Sequence, residues 1–505
     1  VRPPAIPPRS TLRRRAALAL ALTLSLAPGL TLARQPTPSP ADPDPRDRLQ
    51  RDFVQAWNAR DLATAEARLR EWIALRPLEY TPVYNLASLL SVRGDAEPAA
   101  EALERAVLLG FADRRTLESD PHLALARRTE RCRALLADWP ATLDRVLDAR
   151  LARIRESLPK YTIERDPDLR IAFASGFHPD SLAAARLEIT RVARWWQEQV
   201  LPEGRPAVAR DGDSPDPWVL VLLPTQPDFQ AWAQKRFNRP GAISTVAGVY
   251  DHDRLELVAG DLGPTFRHEF LHVLHWRDMT RTGRLHPVWI QEGLCSLVED
   301  VRADTHDDQP RLTPLPSWRT NTIKRRAANT RVSIGALLKL PREKFTSSTP
   351  LANYALARAI FLYLSDKGRL RAWYAAYDAS FDADPSGLKA LEVALDAPIA
   401  QIEKDFRAYL KALPEVPDDS RPGRARLPLD TGLPAGDGIA VEAVGPRCRD
   451  ILPGDVITAV NGTPVRELQE LARVLGDLNP GTPVDVTFRR HKKILTTRLT
   501  LIPRE

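Results

Sequence analysis

Three of the nine histidines in this chain fall within eight positions, in the stretch Arg267-His268-Glu269-Phe270-Leu271-His272-Val273-Leu274-His275-Trp276. That spacing leaves few ways to fold the segment. Residues four apart share one face of a helix, so a helix brings the His268 and His272 imidazoles to a single point. An extended strand would hold them roughly 13 Å apart. Asp261 or Thr265 can cap such a helix, and Pro264 suits its first turn. Glu269, beside the first imidazole, then faces a water on any ion held there. Two imidazoles are an incomplete zinc site, which takes a third protein ligand and keeps one position open. Glu292 is the candidate: it stands 20 residues beyond His272, in HPVWIQEGLCSLVED (286–300), with room for a loop and entry into a second helix. Trp289, Ile290, Leu294 and Leu297 form the apolar set that packs this second helix on the first. His275 faces the same side as the other two histidines and is read as a packing or supporting residue. No acid stands four residues after Glu292, where Ser296 is found. Glu299 or Asp300 could substitute for it, but solvation at the helix end is the expectation for both.

At 505 residues, 43% of them hydrophobic, the chain has material for two to four domains. Its net charge of +7 is spread along the sequence. The one basic cluster, IKRRAANTR (323–331), lacks interleaved aromatics and is read as a solvated surface loop, so no nucleic-acid partner is expected. Cys132, Cys295 and Cys448 are too few and too far apart for a disulfide framework or a cysteine metal knuckle. Residues 1–34 carry arginines, then an apolar run, then small residues, the order of a secretory signal peptide. An exported protein, periplasmic or extracellular, is therefore expected, with an uncleaved N-terminal membrane anchor as the alternative. No later segment is apolar enough to span a bilayer. The proline-rich residues 35–45 read as a tether.

The expected architecture is multidomain α+β: N-terminal helical repeats, a central α+β domain and a small β-rich C-terminal domain. Over 46–140, Asp61, Ala65, Leu69 and Ile73 recur 34 positions on as Asp95, Ala99, Leu103 and Val107. Residues 170–175 and 218–223 read as buried strands, 181–200 as an amphipathic helix and 248–260 as a hairpin turning at 251–253. Almost everything from 333 to 412 reads as helix. Residues 413–428 read as a linker, and 429–505 alternate as strands around a short helix at 466–475.

These patterns carry three family resemblances. The 34-residue period, with YNLASLLSVRGD in its clearer copy, resembles tetratricopeptide repeats, which implies a protein partner or a structural lid. HExxH followed by W-x-x-E-G resembles the gluzincin metallopeptidases, the thermolysin-like superfamily in its peptidase-MA-like branch, over 160–412. That resemblance implies a zincin-like fold, zinc bound by His268, His272 and Glu292, Glu269 as general base, and a protein or peptide substrate pairing with the 248–260 hairpin. It also places Tyr354, in ANYALARAIFLYLSDKG, where related enzymes carry an oxyanion-stabilising tyrosine; packing at the helix start is the alternative. LPGDVITAVNGTPV resembles bacterial PDZ domains and implies capture of an extended peptide or C-terminus beside Gly438, Ile439, Ala440 and Val441. A gluzincin domain followed by a PDZ domain is also similar to the glycyl aminopeptidase family. A zinc-holding envelope scaffold that does not cut is the reading from another class.

Overall fold

Asp61 and Asp95, 34 positions apart, each stand immediately before a helix, and the period they mark is one of helical hairpins. The computed structural model describes residues 45–208, 218–224, 227–229, 231–232, 248–251, 254–303, 311–329, 332–417, 423–434, 438–446, 448–491 and 493–504. The expected signal peptide, nearly all of the tether and the tip of the 248–260 hairpin lie outside the described residues. Helices α1 (Pro45–Asn58), α2 (Leu62–Leu75), α3 (Tyr80–Arg93) and α4 (Ala96–Leu108) form two successive hairpins. Asp61 caps α2 by accepting from the Thr64 amide at 3.0 Å. Ala65 and Ala99 are both fully buried, small side chains that let neighbouring helices approach. Gly94 ends α3 at φ 112°, a backbone only glycine adopts freely.

After α5 (Arg114–Ser119) and α6 (Glu130–Ala137) comes α7 (Trp139–Ser157), most of which the sequence reading left unassigned. It is shared between two cores. Trp139, Leu143 and Val146 close the helical repeats, whereas Leu147 and Leu151 pack on Ala172, Val219, Val221, Val249 and Val258 of the following sheet. That sheet has the order β1-β2-β3-β5-β4. Its strands are β1 (Thr162–Asp166), β2 (Ile171–Ser175), β3 (Trp218–Leu222), β4 (Gly248–Asp251) and β5 (Glu256–Ala259). β2, β3 and β5 run parallel; β1 and β4 are antiparallel edges. The period-2 alternation sends Phe173, Trp218, Leu220, Leu222 and Leu257 to the other face, beneath α8 (Pro179–Trp195) and α9 (Pro264–Thr282).

Helix α10 (Val288–Leu297) leads to the short pair β6 (Val301–Ala303) and β7 (Leu312–Pro314), then to α11 (Trp318–Asn329). Residues 323–329 of the basic cluster are thus helical rather than a loop. Ile323 is buried, and Lys324 donates to the Leu413 carbonyl. Six helices follow: α12 (Ile334–Leu338), α13 (Arg342–Ser347), α14 (Pro350–Asp366), α15 (Leu370–Ser380), α16 (Leu388–Leu395) and α17 (Ile399–Ala412). Helix α14 is buried almost all round, which explains its apolar sequence. The expected linker is docked in its first half: Asn321 exchanges hydrogen bonds with both backbone groups of Val416, at 2.6 and 3.0 Å.

The C-terminal unit opens four residues before its expected start, because β8 (Ala425–Arg426) pairs with β15 (Ile502–Pro503). Its main sheet runs β14-β13-β11-β10-β9, with β12 (Thr463–Pro464) paired to β11. The strands are β9 (Leu429–Pro434), β10 (Ile439–Val444), β11 (Val456–Val460), β13 (Pro483–Arg490) and β14 (Lys493–Thr500). Helix α18 (Leu468–Gly476) closes a small core of Ile439, Ile457, Leu471, Val486 and Phe488. Among the described residues no helix is long and apolar enough to cross a membrane.

Candidate metal centre

Helix α9 begins with Pro264 at its first position as expected, but its N-cap is Gly263 with no side-chain cap; Thr265 lies inside the helix, and Asp261 accepts from the Gly263 amide at 2.8 Å. His268 and His272 consequently face the same way, and their Nε2 atoms lie 3.2 Å apart. Glu292, on α10, places Oε2 3.5 Å from His268 Nε2 and 3.6 Å from His272 Nε2. Ligand atoms about 2.0–2.2 Å from a tetrahedral ion stand roughly 3.3–3.6 Å from one another, so the three atoms here have the spacing of one face of such a shell. All three side chains are buried, and Glu292 Oε2 has no hydrogen-bond partner. A buried carboxylate oxygen that makes no hydrogen bond and faces two imidazole nitrogens is suited to meet a cation. Among the described residues this is the one His/Cys/Asp/Glu group whose ligand atoms converge in this way.

Small residues make the approach of these elements feasible. A Cβ on Gly293, beside Glu292, would lie 2.6 Å from the Phe361 ring and 2.9 Å from the Ala357 carbonyl, so glycine lets α10 press onto α14. A Cβ on Gly248 would lie 2.5 Å from Thr265 Cγ2 and 2.9 Å from Glu269 Cγ. The edge strand β4 therefore passes directly over Glu269, which is fully buried. Two residues on, Tyr250 stacks on the His272 ring at 5.1 Å and on Trp218 at 5.3 Å, tying one imidazole to the sheet.

Glu299 corrects the sequence reading. It is not solvated at a helix end: it is buried, and its Oε1 lies 2.9 Å from His268 Nδ1. Arg319 donates to both Glu299 oxygens, at 2.6 and 2.9 Å. A carboxylate on the far nitrogen of a ligand imidazole fixes the ring and its tautomer. Burial alone would raise the Glu299 carboxyl; Arg319 and His268 outweigh it and hold it at about 2. Glu299 stands seven residues after Glu292 but two past the end of α10, where helical periodicity gives no signal. Asp300 is also buried rather than solvated, paired with Arg473 at 3.1 Å.

His275 packs. Its Nε2 lies 2.8 Å from His286 Nδ1, and its ring meets Trp196 at 5.3 Å, away from the three converging atoms. Burial pushes both of these histidines well below their usual value. Tyr354 is buried on α14 beside Phe345 at 5.1 Å, with the Arg319 guanidinium 5.7 Å from its ring. Burial, then the Glu292 carboxylate, raises its phenol well above its usual value, so it remains a proton donor at neutral pH.

Charge on the cluster is linked to protons. Burial alone would depress the His268 imidazole; Glu292 and Glu299 outweigh it and push it up to about 10. A cation entering the cluster must displace that proton. The raised value means the proton is held at pH 7–9 and released on binding. Zinc affinity is thus expected to rise about tenfold per pH unit through this range. Calorimetry in buffers of different ionisation enthalpy reads the released proton; a binding heat at pH 8 independent of buffer would contradict it.

In the C-terminal unit the expected peptide site needs correction. β10 is hydrogen-bonded on one side to β11 and on the other to β9, so Gly438–Val441 offers no open edge for strand addition. Gly438 itself lies against the β11 backbone, where a Cβ would stand 2.1 Å from the Ile457 carbonyl oxygen. β9 is one of the two outer strands of the main sheet, the other being β14, and α18 packs beside β9.

Residues 431–501 match the PDZ domain family, and a PDZ domain is present there. No curated protein matches the chain. A serine endoprotease from Yersinia pestis is similar at 22% identity over 21% of this chain and 37% of its own, with a TM-score of 0.15. The chain thus spans little more than a third of that protein. An aminopeptidase N family protein from Idiomarina loihiensis is similar at 14% identity over 68% of this chain and 67% of its own, with a TM-score of 0.25.

Proposed function

We propose that this chain is an exported zinc peptidase of the gluzincin type, with His268, His272 and Glu292 as metal ligands and Glu269 as general base. The observation that carries the reading is the convergence of three buried ligand atoms at 3.2, 3.5 and 3.6 Å, one of them a carboxylate oxygen without a hydrogen-bond partner. Zinc held there supplies a water that is nucleophilic near neutral pH and polarises a peptide carbonyl. Glu269, one residue after the first ligand and beneath the edge strand, takes the proton of the attacking water and returns it to the leaving amine. Tyr354, kept protonated by its surroundings, donates to the oxygen that gains charge. Glu299 and Arg319 keep the His268 ring in its ligating orientation. β4, an outer strand with Gly248 against Glu269, offers its backbone to an extended peptide. The helical repeats and the PDZ domain select protein partners; in the latter the extended peptide adds to the outer edge of β9.

Cleavage of a peptide library by the chain tests this reading. Internal cleavage, lost on chelation and restored by zinc, is the expected result; trimming confined to N-terminal residues would favour the glycyl aminopeptidase alternative. Bound zinc with no cleavage at all would favour the scaffold.

A further inference from the structure

Arg267 immediately precedes the first candidate ligand, and its guanidinium reaches four groups from three parts of the chain. Nε donates to the Val298 carbonyl at 2.9 Å, and one terminal nitrogen donates to Glu188 at 2.9 Å. The other terminal nitrogen donates to the Glu299 carbonyl at 2.7 Å and to the carboxylate of Glu467. Glu467 belongs to the C-terminal unit, standing directly before α18, and both it and Arg267 are buried, at 5% and 6% exposure. Its carboxylate also overlies the start of α9: a Cβ on Gly263 would stand 3.5 Å from Glu467 Oε1. A second contact crosses between the same units, Arg473 of α18 with Asp300 at 3.1 Å.

These contacts bracket one residue. Glu299 holds His268 Nδ1, its own carbonyl is held by Arg267, and its neighbour Asp300 is held by Arg473. A buried guanidinium keeps a fixed position only while its charge is met, because an unpaired buried charge is strongly unfavourable. Glu188 and Glu467 meet it together, and Glu467 does so on the same nitrogen that holds the Glu299 carbonyl. We infer that Glu467, in the PDZ domain, is a positioning residue for the metal centre, acting through Arg267 on the 298–300 segment that delivers Glu299 to His268. The inference rests on the zinc-site reading above and adds that the PDZ domain is part of the scaffold of that site. Metal occupancy and the placement of α18 are then thermodynamically linked.

The test is the zinc dissociation constant of the full chain, measured by chelator competition, together with the absorption spectrum of the cobalt(II)-loaded protein. Glu467→Gln is expected to weaken zinc binding roughly tenfold and to shift the cobalt bands, with Glu467→Asp recovering part of both. Val486→Ala removes a fully buried side chain from the core of the same unit without touching the contacts to α9. It is expected to leave zinc affinity within about twofold of the parent, so a loss equal to that of Glu467→Gln would overturn the inference. Parent-like affinity and spectrum in Glu467→Gln would also overturn it while leaving the zinc site intact. Should Glu467→Gln not fold, Arg473→Met probes the second contact and is expected to move both readouts in the same direction by a smaller amount. A parent chain that binds no zinc would sink the underlying reading itself, a distinct outcome.

Discussion

Exchange of Glu269 for glutamine is expected to slow peptide hydrolysis about 10³-fold while one zinc per chain remains bound. General-base catalysis contributes roughly 10²–10⁴-fold when the base is well placed, so this loss corresponds to about 4 kcal/mol of transition-state stabilisation. Glutamine matches the size of the side chain beneath Gly248, where β4 leaves little room for anything larger. It cannot accept the proton. Because glutamine keeps the shape of this fully buried side chain, the melting temperature is expected to stay close to that of the parent. Retained hydrolysis would show that another group acts as base. A chain that keeps its biological role with glutamine at this position would favour the scaffold.

Arg358→Met is expected to destabilise the chain by roughly 3–5 kcal/mol, read as a fall in the midpoint of denaturant unfolding. Arg358 is fully buried on α14, donating to the Ser296 carbonyl at 2.8 Å and the Leu315 carbonyl at 2.7 Å, with Asp300 at 3.9 Å. Methionine fills much of the volume but donates nothing. Two buried carbonyls lose a partner, and Asp300, whose carboxyl burial already raises, loses one of the guanidinium groups facing it while Arg473 stays at 3.1 Å. Since Ser296 closes the last turn of α10, zinc affinity is expected to fall with stability. An unfolding midpoint equal to that of the parent would show that water or a neighbouring donor replaces the guanidinium.

Local patterns made some elements legible. The His268–His272 pair could be placed because helical spacing is fixed, and Glu292 because an apolar set marked its helix. The Asp61–Asp95 period found the two helical hairpins, and two uninterrupted apolar runs found the buried strands β2 and β3. What escaped was set by tertiary contact. Glu299 lies past the end of α10, where periodicity gives no direction, and the Arg319 that holds it comes from the first turn of α11, before the 323–331 cluster that reads as a solvated loop. The Arg267–Glu467 contact joins residues 200 apart in sequence. Peptide capture was expected beside GIAVEAV, now β10, for a related reason. GIAVEAV alternates well and drew the assignment to β10, whereas β9 contains Gly432 and Pro434 and carries a weak strand pattern. Alternation identifies a strand but does not give its place in the sheet order.

Equilibrium zinc titration of the parent chain alongside Glu292→Ala addresses the central claim most directly. One tightly bound zinc in the parent, with affinity lost by orders of magnitude when the Glu292 carboxylate is removed, is the predicted result. A parent that binds no zinc, or a Glu292→Ala chain that binds it as tightly as the parent, would contradict the three-residue metal centre.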